Sequence, residues 1–259
     1  MVRSRNRSLK LEAQNAAKTL LANIRFASVD NPISSLVVTS SIPNEGKSTV
    51  SVNLAEAIAT SGKSVLLVEC DFRNRSLADM LNVRAPGGIY AVLSEEMSLD
   101  QAVSSTSVPN MYLLDVEPHI PNPADVLSSK RFRNMANALE ERFDYVIYDT
   151  PPVGTFVDAA ILSTLADGAV LVVRENFTKR DSILGAYDQL KKAGAHVIGV
   201  VMNYCESLSN EYYYAYYTQD GQFDHASAPS DSNMFVSTDV RRVSGKHGSS
   251  APARSQRAR

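Results

Sequence analysis

The sequence predicts an α/β fold, a doubly wound and mostly parallel sheet flanked by helices. Three observations predict it. Short, continuous runs of Val, Ile and Leu recur along the chain, the pattern of strands buried on both faces. Stretches with helical spacing separate these runs, and alternating β and α argues for right-handed crossovers in one parallel sheet. The 259 residues, 44% of them hydrophobic, are enough for one sizeable core with tails.

The elements follow in order. Residues 1–34 form a basic segment with a helix expected over 8–25. Arg3, Arg5, Arg7, Lys10, Lys18 and Arg25 stand against Glu12 and Asp30 in the first 30 residues, a net +4. Strands are expected at "SLVVTS" (35–40), "SVLLVEC" (64–70), "MYLLD" (111–115), "DYVIYD" (144–149), "AVLVV" (169–173) and "HVIGVVM" (196–202). Helices are expected over 47–61, 124–142, 157–166 and 178–193. This alternation sets 35–209 apart as one α/β domain. Residues 210–217 then carry a cluster of Tyr212, Tyr213, Tyr214, Tyr216 and Tyr217. From 218 to 259 periodicity stops and Ser, Ala, Asp and Arg dominate, the composition of a disordered basic tail.

Bulk numbers exclude several classes. A formal net charge of −2 gives no reason to expect nucleic acid as a partner. The basic ends read as solvated arms or as contacts to an anionic membrane surface. Two cysteines, Cys70 and Cys205, without metal-ligand spacing, fit a reduced cytoplasmic compartment. No apolar run approaches the roughly 20 residues that span a bilayer, and the basic N-terminus lacks the apolar core of a signal peptide. At a membrane, something else would hold this chain in place.

The chemistry begins at "VVTSSIPNEGKST", where a strand runs into a helix through a loop. Backbone amides of such a loop cradle phosphates at a helix N-terminus. Gly46 permits close backbone approach, Lys47 reaches the β- and γ-phosphates, and the Ser48 hydroxyl can ligate Mg²⁺. Ser41 stands where the general P-loop pattern has its first glycine. The loop therefore offers Ser41, Pro43, Asn44, Glu45, Gly46, Lys47, Ser48 and Thr49 to a nucleotide. Two further motifs end strands in acids: "VLLVECDFR" with Glu69 and Asp71, and "YVIYDTPP" with Asp149. Ligands of doubly wound folds bind at that end of the sheet, and Mg²⁺ takes oxygen donors while keeping waters. Ser48, Glu69, Asp71 and Asp149 are thus the expected metal group. Arg73, Arg75 and Arg174 either contact phosphates or a neighbour, or are solvated.

With these motifs in view, the chain resembles the bacterial tyrosine kinases of capsule and exopolysaccharide synthesis, P-loop proteins related to the MinD/ParA ATPases. The resemblance rests on "SSIPNEGKST", "VECDFR", "NPADVLSSKRFRNMANALEERFDYVIYDTPPV", "DAAILSTLADGAVLVVRENFT" and the tyrosine cluster. It implies an ATP-dependent autokinase that uses Mg²⁺. Lys47 would hold the transferring phosphate, with Thr49 as a further phosphate contact. Asp71 would orient or deprotonate the incoming tyrosine, Asp149 would hold Mg²⁺ through water, and Asn203 would read adenine. The five clustered tyrosines would be acceptors, mostly on neighbouring copies of the chain. The partners implied are a membrane chain-length regulator whose cytoplasmic tail activates the kinase, further copies in a ring, and a cognate tyrosine phosphatase. The chain would then be cytoplasmic and recruited to the inner face of the membrane. A different class, a MinD/ParA-like switch hydrolysing ATP to water, is the alternative; it needs no tyrosine cluster. The sequence departs from the kinase pattern at Glu69, where Asp is usual, and after "DFR", where "NRSL" lacks the frequent Pro. It departs again at Asn15, Lys18 and Leu21, where charged residues usually pack against a neighbour in the ring.

Overall fold

The structure, a computed structural model, describes residues 2–27 and 31–205, with side chains from residue 9 onward. The tyrosine cluster and the stretch from 218 lie outside the described residues.

Seven strands form one sheet: β1 (Ser35–Ser40), β2 (Val65–Glu69), β3 (Ser104–Ser105), β4 (Met111–Leu114), β5 (Tyr145–Asp149), β6 (Gly168–Arg174) and β7 (Val197–Asn203). Their order is β3-β4-β2-β5-β1-β6-β7, and every pairing is parallel except that of β3 with β4. β1 and β2 are buried along their whole length. That is why their sequences run apolar without alternation.

The helices are α1 (Val2–Ala27), α2 (Lys47–Thr60), α3 (Leu77–Leu81), α4 (Ile89–Leu93), α5 (Leu99–Ala102), α6 (Pro123–Ser128), α7 (Lys130–Glu140), α8 (Asp158–Leu162) and α9 (Arg180–Lys192). They cover both faces. One core joins Leu66, Val68, Leu114 and Tyr148 to Phe132 and Leu139 of α7 and Leu190 of α9. The other joins Leu36, Val38, Leu67 and Ile147 to Leu54 and Ile58 of α2 and to Ala17, Leu21 and Ile24 of α1. Leu21, one of the three positions expected at a ring contact, is therefore committed to packing inside its own chain.

The expected helix over 124–142 is two helices. Ser129 adopts an extended backbone (φ −68°, ψ 152°) and its side chain accepts from Phe132 N, the geometry of an N-cap. β3 and the short helices α3 to α5 have no counterpart among the expected elements; four or five residues carry too little periodicity to read.

The strand order positions the site. β2, β5 and β1 are neighbours, and Asp149 is the register partner of Glu69 on one side and of Val38 on the other. The loops that leave β1, β2 and β5 therefore open at one edge of the sheet, as ligand sites of doubly wound folds do.

Candidate active site

The loop between β1 and α2 wraps around a backbone that only some residues adopt. Gly46, at the cap of α2, has φ +86°, and Asn44 has φ +66°. A Cβ on Gly46 would lie 2.2 Å from Asn203 Nδ2. A left-handed backbone and this crowding together demand glycine. Asn203 Nδ2 donates to Glu45 O (2.9 Å), so the end of β7 ties down the loop from the far side.

Glu45 is buried and does not line the cavity. Its carboxylate accepts from Ser41 Oγ (3.0 Å), Ile42 N (2.8 Å), the Thr178 hydroxyl and Arg174 N (3.4 Å). Among the residues offered to a nucleotide by sequence, Ser41 and Glu45 thus hold the loop to itself and to the end of β6. Pro43, Asn44, Gly46, Lys47, Ser48 and Thr49 line a cavity of about 360 Å³. Asp71, Arg73, Asn74, Ser76, Met80, Pro152, Phe156, Arg174 and Tyr204 complete it.

Inside this cavity Lys47 Nζ lies 3.3 Å from Asp71 Oδ2, with both side chains largely buried. Asp71 Oδ1 accepts from Asn74 N (3.0 Å), which fixes the carboxylate. The fully buried Asp149 accepts from Ser51 Oγ (3.0 Å) through Oδ1, while its Oδ2 has no hydrogen-bond partner among the described residues. A buried carboxylate oxygen without a donor is costly unless a cation or proton satisfies it. Ser48 Oγ accepts from Ser76 Oγ (3.1 Å). Ser48 and Asp149 fit Mg²⁺, which takes hydroxyl, carboxylate and phosphate oxygens and keeps waters.

Glu69 does not join that group. Its carboxylate accepts from Asp71 N (3.1 Å) through Oε1 and from Ser76 N (2.8 Å) and Leu77 N (3.0 Å) through Oε2. The extra methylene carries the carboxylate to the start of α3, where its charge meets free backbone amides. Burial raises the affinity of Glu69 for a proton, and the nearby Asp149 raises it further, against the lowering pull of those amides. Burial likewise lifts Asp149, opposed by Lys47 and by the Ser48 and Ser51 hydroxyls.

The three arginines separate. Arg75 forks onto the buried Asp115, with Nε 3.3 Å from Oδ1 and Nη2 on Oδ2. Arg174 lies between the rings of Phe177 (4.6 Å) and Tyr204 (4.4 Å). Arg73 Nη1 donates to Asp158 Oδ1 (2.7 Å), and its guanidinium stacks on Phe156 at 4.1 Å. Asp115 and Phe156 carry no motif signal, and Asp158 opens the "DAAILSTLADG" stretch without a role assigned to it; the contacts of all three arise from where the chain folds back.

Among the described residues no helix is long and apolar enough to cross a membrane. Residues 36–192 match the family described as an AAA domain. The tyrosine-protein kinase YwqD of Bacillus subtilis (strain 168) is 36% identical over 206 residues, 80% of this chain and 86% of that protein. The tyrosine-protein kinase CpsD of Streptococcus agalactiae is 35% identical over 192 residues, 73% of this chain and 81% of that protein. Among solved structures, the chimerical protein CapA2B2 matches with a TM-score of 0.69 at 31% identity, covering 72% of this chain and 82% of that one.

Proposed function

The chain belongs to the bacterial tyrosine-protein kinases, and from that premise we propose that it is an ATP- and Mg²⁺-dependent autokinase that phosphorylates Tyr212, Tyr213, Tyr214, Tyr216 and Tyr217 in trans. The observation that carries this reading is the meeting of Lys47, Asp71 and the half-satisfied Asp149 beside the phosphate loop.

Phosphoryl transfer asks the protein mainly for positioning and charge neutralisation. The amides from Gly46 to Thr49 and the α2 dipole hold the phosphates. Lys47 follows the transferring group, and Asp71 accepts the phenol proton as the tyrosine oxygen bonds to the γ-phosphorus and the bond to the β–γ bridging oxygen breaks. Ser48 and Asp149 would hold Mg²⁺, which would supply further positive charge to the phosphates. By the resemblance Asn203 would read the base; its Nδ2 donates to Glu45 O at the back of the loop.

We extend the proposal, by the resemblance, to a role in capsule and exopolysaccharide synthesis, a membrane activator that recruits the chain to the inner face of the membrane, a ring of copies and a cognate phosphatase. Each phosphate adds about −1.5 to −2 charges. Five would make the cluster strongly anionic and loosen its docking on a neighbour.

The test is direct. Incubate the chain with Mg²⁺ and ATP, with and without the cytoplasmic tail of a candidate membrane activator, and map phosphate by mass spectrometry. Phosphate on the five tyrosines, absent from Lys47→Met, is the expected result. ATP hydrolysis without phosphotyrosine under either condition would overturn the autokinase reading.

A further inference from the structure

We propose that Arg73, held by the buried Asp158 and stacked on Phe156, is the acceptor-side anion site, taking the phosphoryl oxygens as they pass to the phenol. The inference rests on the autokinase reading and deepens it.

The cavity wall divides by chemistry. The loop residues from Pro43 to Thr49 account for a nucleotide and its phosphates. The same cavity is also lined by the apolar Met80, Pro152 and Phe156, together with Asp71, Arg73 and Asn74. Phosphates have no use for an apolar wall. An aromatic ring does, whether of the base or of a tyrosine, and the tyrosine, an apolar body with one polar tip, is the ring whose hydroxyl must reach Asp71.

Arg73 is set differently from its neighbour. Arg75 spends two nitrogens on the two oxygens of Asp115. Among the described residues Arg73 spends only Nη1, on Oδ1 of Asp158, although Asp158 is completely buried and its Oδ2 has no partner there. A fork on Asp158 would satisfy that oxygen. The chain instead leaves a buried carboxylate oxygen unsatisfied, and the stack on Phe156 fixes the guanidinium plane. Arg73 lines the cavity, its remaining N–H donors have no acceptor among the described residues, and the side chain is 33% exposed.

An anion arriving next to Asp71 would meet these donors. During transfer the phenol oxygen bonds to the γ-phosphorus, the bond to the β–γ bridging oxygen breaks, and the phenol proton goes to Asp71. Lys47 then faces the donor side of the moving group and Arg73 the acceptor side. Arg73 touches the reacting group; Asp158 acts through Arg73 and is a positioning residue.

The experiment uses the full chain and a synthetic peptide of residues 208–220 as acceptor, at saturating Mg²⁺. Initial rates of peptide phosphorylation are measured against peptide and against ATP for the parent, Arg73→Ala, Arg73→Lys and Asp158→Asn. For Arg73→Ala, kcat/KM for peptide falls tenfold or more, about the weight of one charge-assisted contact, while KM for ATP stays within about twofold. Arg73→Lys recovers part of the loss, because the charge remains without the planar donors. Asp158→Asn, isosteric with the parent, lowers kcat/KM for peptide in the same direction with KM for ATP unchanged. A purely structural Asp158 would move both parameters together and overturn its positioning role. Unchanged peptide kinetics in Arg73→Ala would overturn the acceptor site while the kinase reading stands. A loss confined to ATP affinity would reassign Arg73 to the nucleotide. No peptide phosphorylation by the parent chain, with or without activator tail, would remove the autokinase reading and this inference together.

Discussion

At the scale of single residues, two positions are under opposite constraints. Gly46 must be glycine: φ is +86°, and a Cβ would meet Asn203 Nδ2 at 2.2 Å. Gly46→Ala is expected to lower stability by about 2 kcal/mol, from the left-handed backbone and the displaced Asn203 bond. Nucleotide affinity should fall tenfold or more, read by titration calorimetry; a variant binding ATP like the parent would show that the loop does not need this conformation. Glu69 and Asp149 are register partners buried side by side, and burial raises the proton affinity of both. The sign follows from linkage. A carboxyl that holds its proton more tightly when folded favours the folded state at low pH, and that contribution fades as pH rises past the ordinary carboxylate range near 4 and through the folded value. Relative to the parent without ligand, Glu69→Gln should therefore gain stability as pH rises from 5 to about 8; a constant difference across that range would count against the assignment. The positions of these acids were legible as strand ends, but Glu69 reads there as one of the metal ligands, since strand-end spacing says nothing of which way a carboxylate turns. Glu45 left a readable signal. An acid beside phosphates is repelled by them, so "NEGKST" already implied a second partner for that side chain.

Among the elements, what was legible depended on burial and length. β1, β2, β5, β6 and β7 announced themselves as continuous apolar runs, and α2 and α9 by helical spacing. The break at Ser129 was hidden because the stretches on either side are both helical, and only the cap geometry separates them. α1 is a different case. It is about 39 Å long, and it docks through Ala17, Leu21 and Ile24 onto the face that α2 also covers. Leu21→Ala should remove about 3 kcal/mol, roughly 6–12 °C in melting temperature. A shift under about 2 °C would mean that α1 does not pack as described. Because Leu21 is inward, any ring built by this chain must draw its α1 contacts from other positions, Asn15 and Lys18 among them.

For the whole molecule, the sheet order gathers residues far apart in sequence. The loop after β1, the acids after β2 and at the end of β5, and the ends of β6 and β7 meet along one edge. Binding at that edge couples to global stability. With ATP at 100 times its dissociation constant, Mg²⁺ present, the folded state should gain about 2.7 kcal/mol. That is several degrees of melting temperature by differential scanning calorimetry. Chelating the Mg²⁺ should remove most of it, and Lys47→Met should show little; an equal shift in the chelated sample would deny the metal a place in the site. The tethering of Glu45 has a kinetic meaning. Its carboxylate holds Ser41 and Ile42 on one side and Arg174 and Thr178 on the other, and Asn203 fastens its carbonyl. The loop is thus shaped before any nucleotide arrives. Little chain entropy is surrendered on association, so capture is a diffusive encounter rather than a folding event, and the lifetime of the complex, more than its rate of formation, sets how tightly ATP is held.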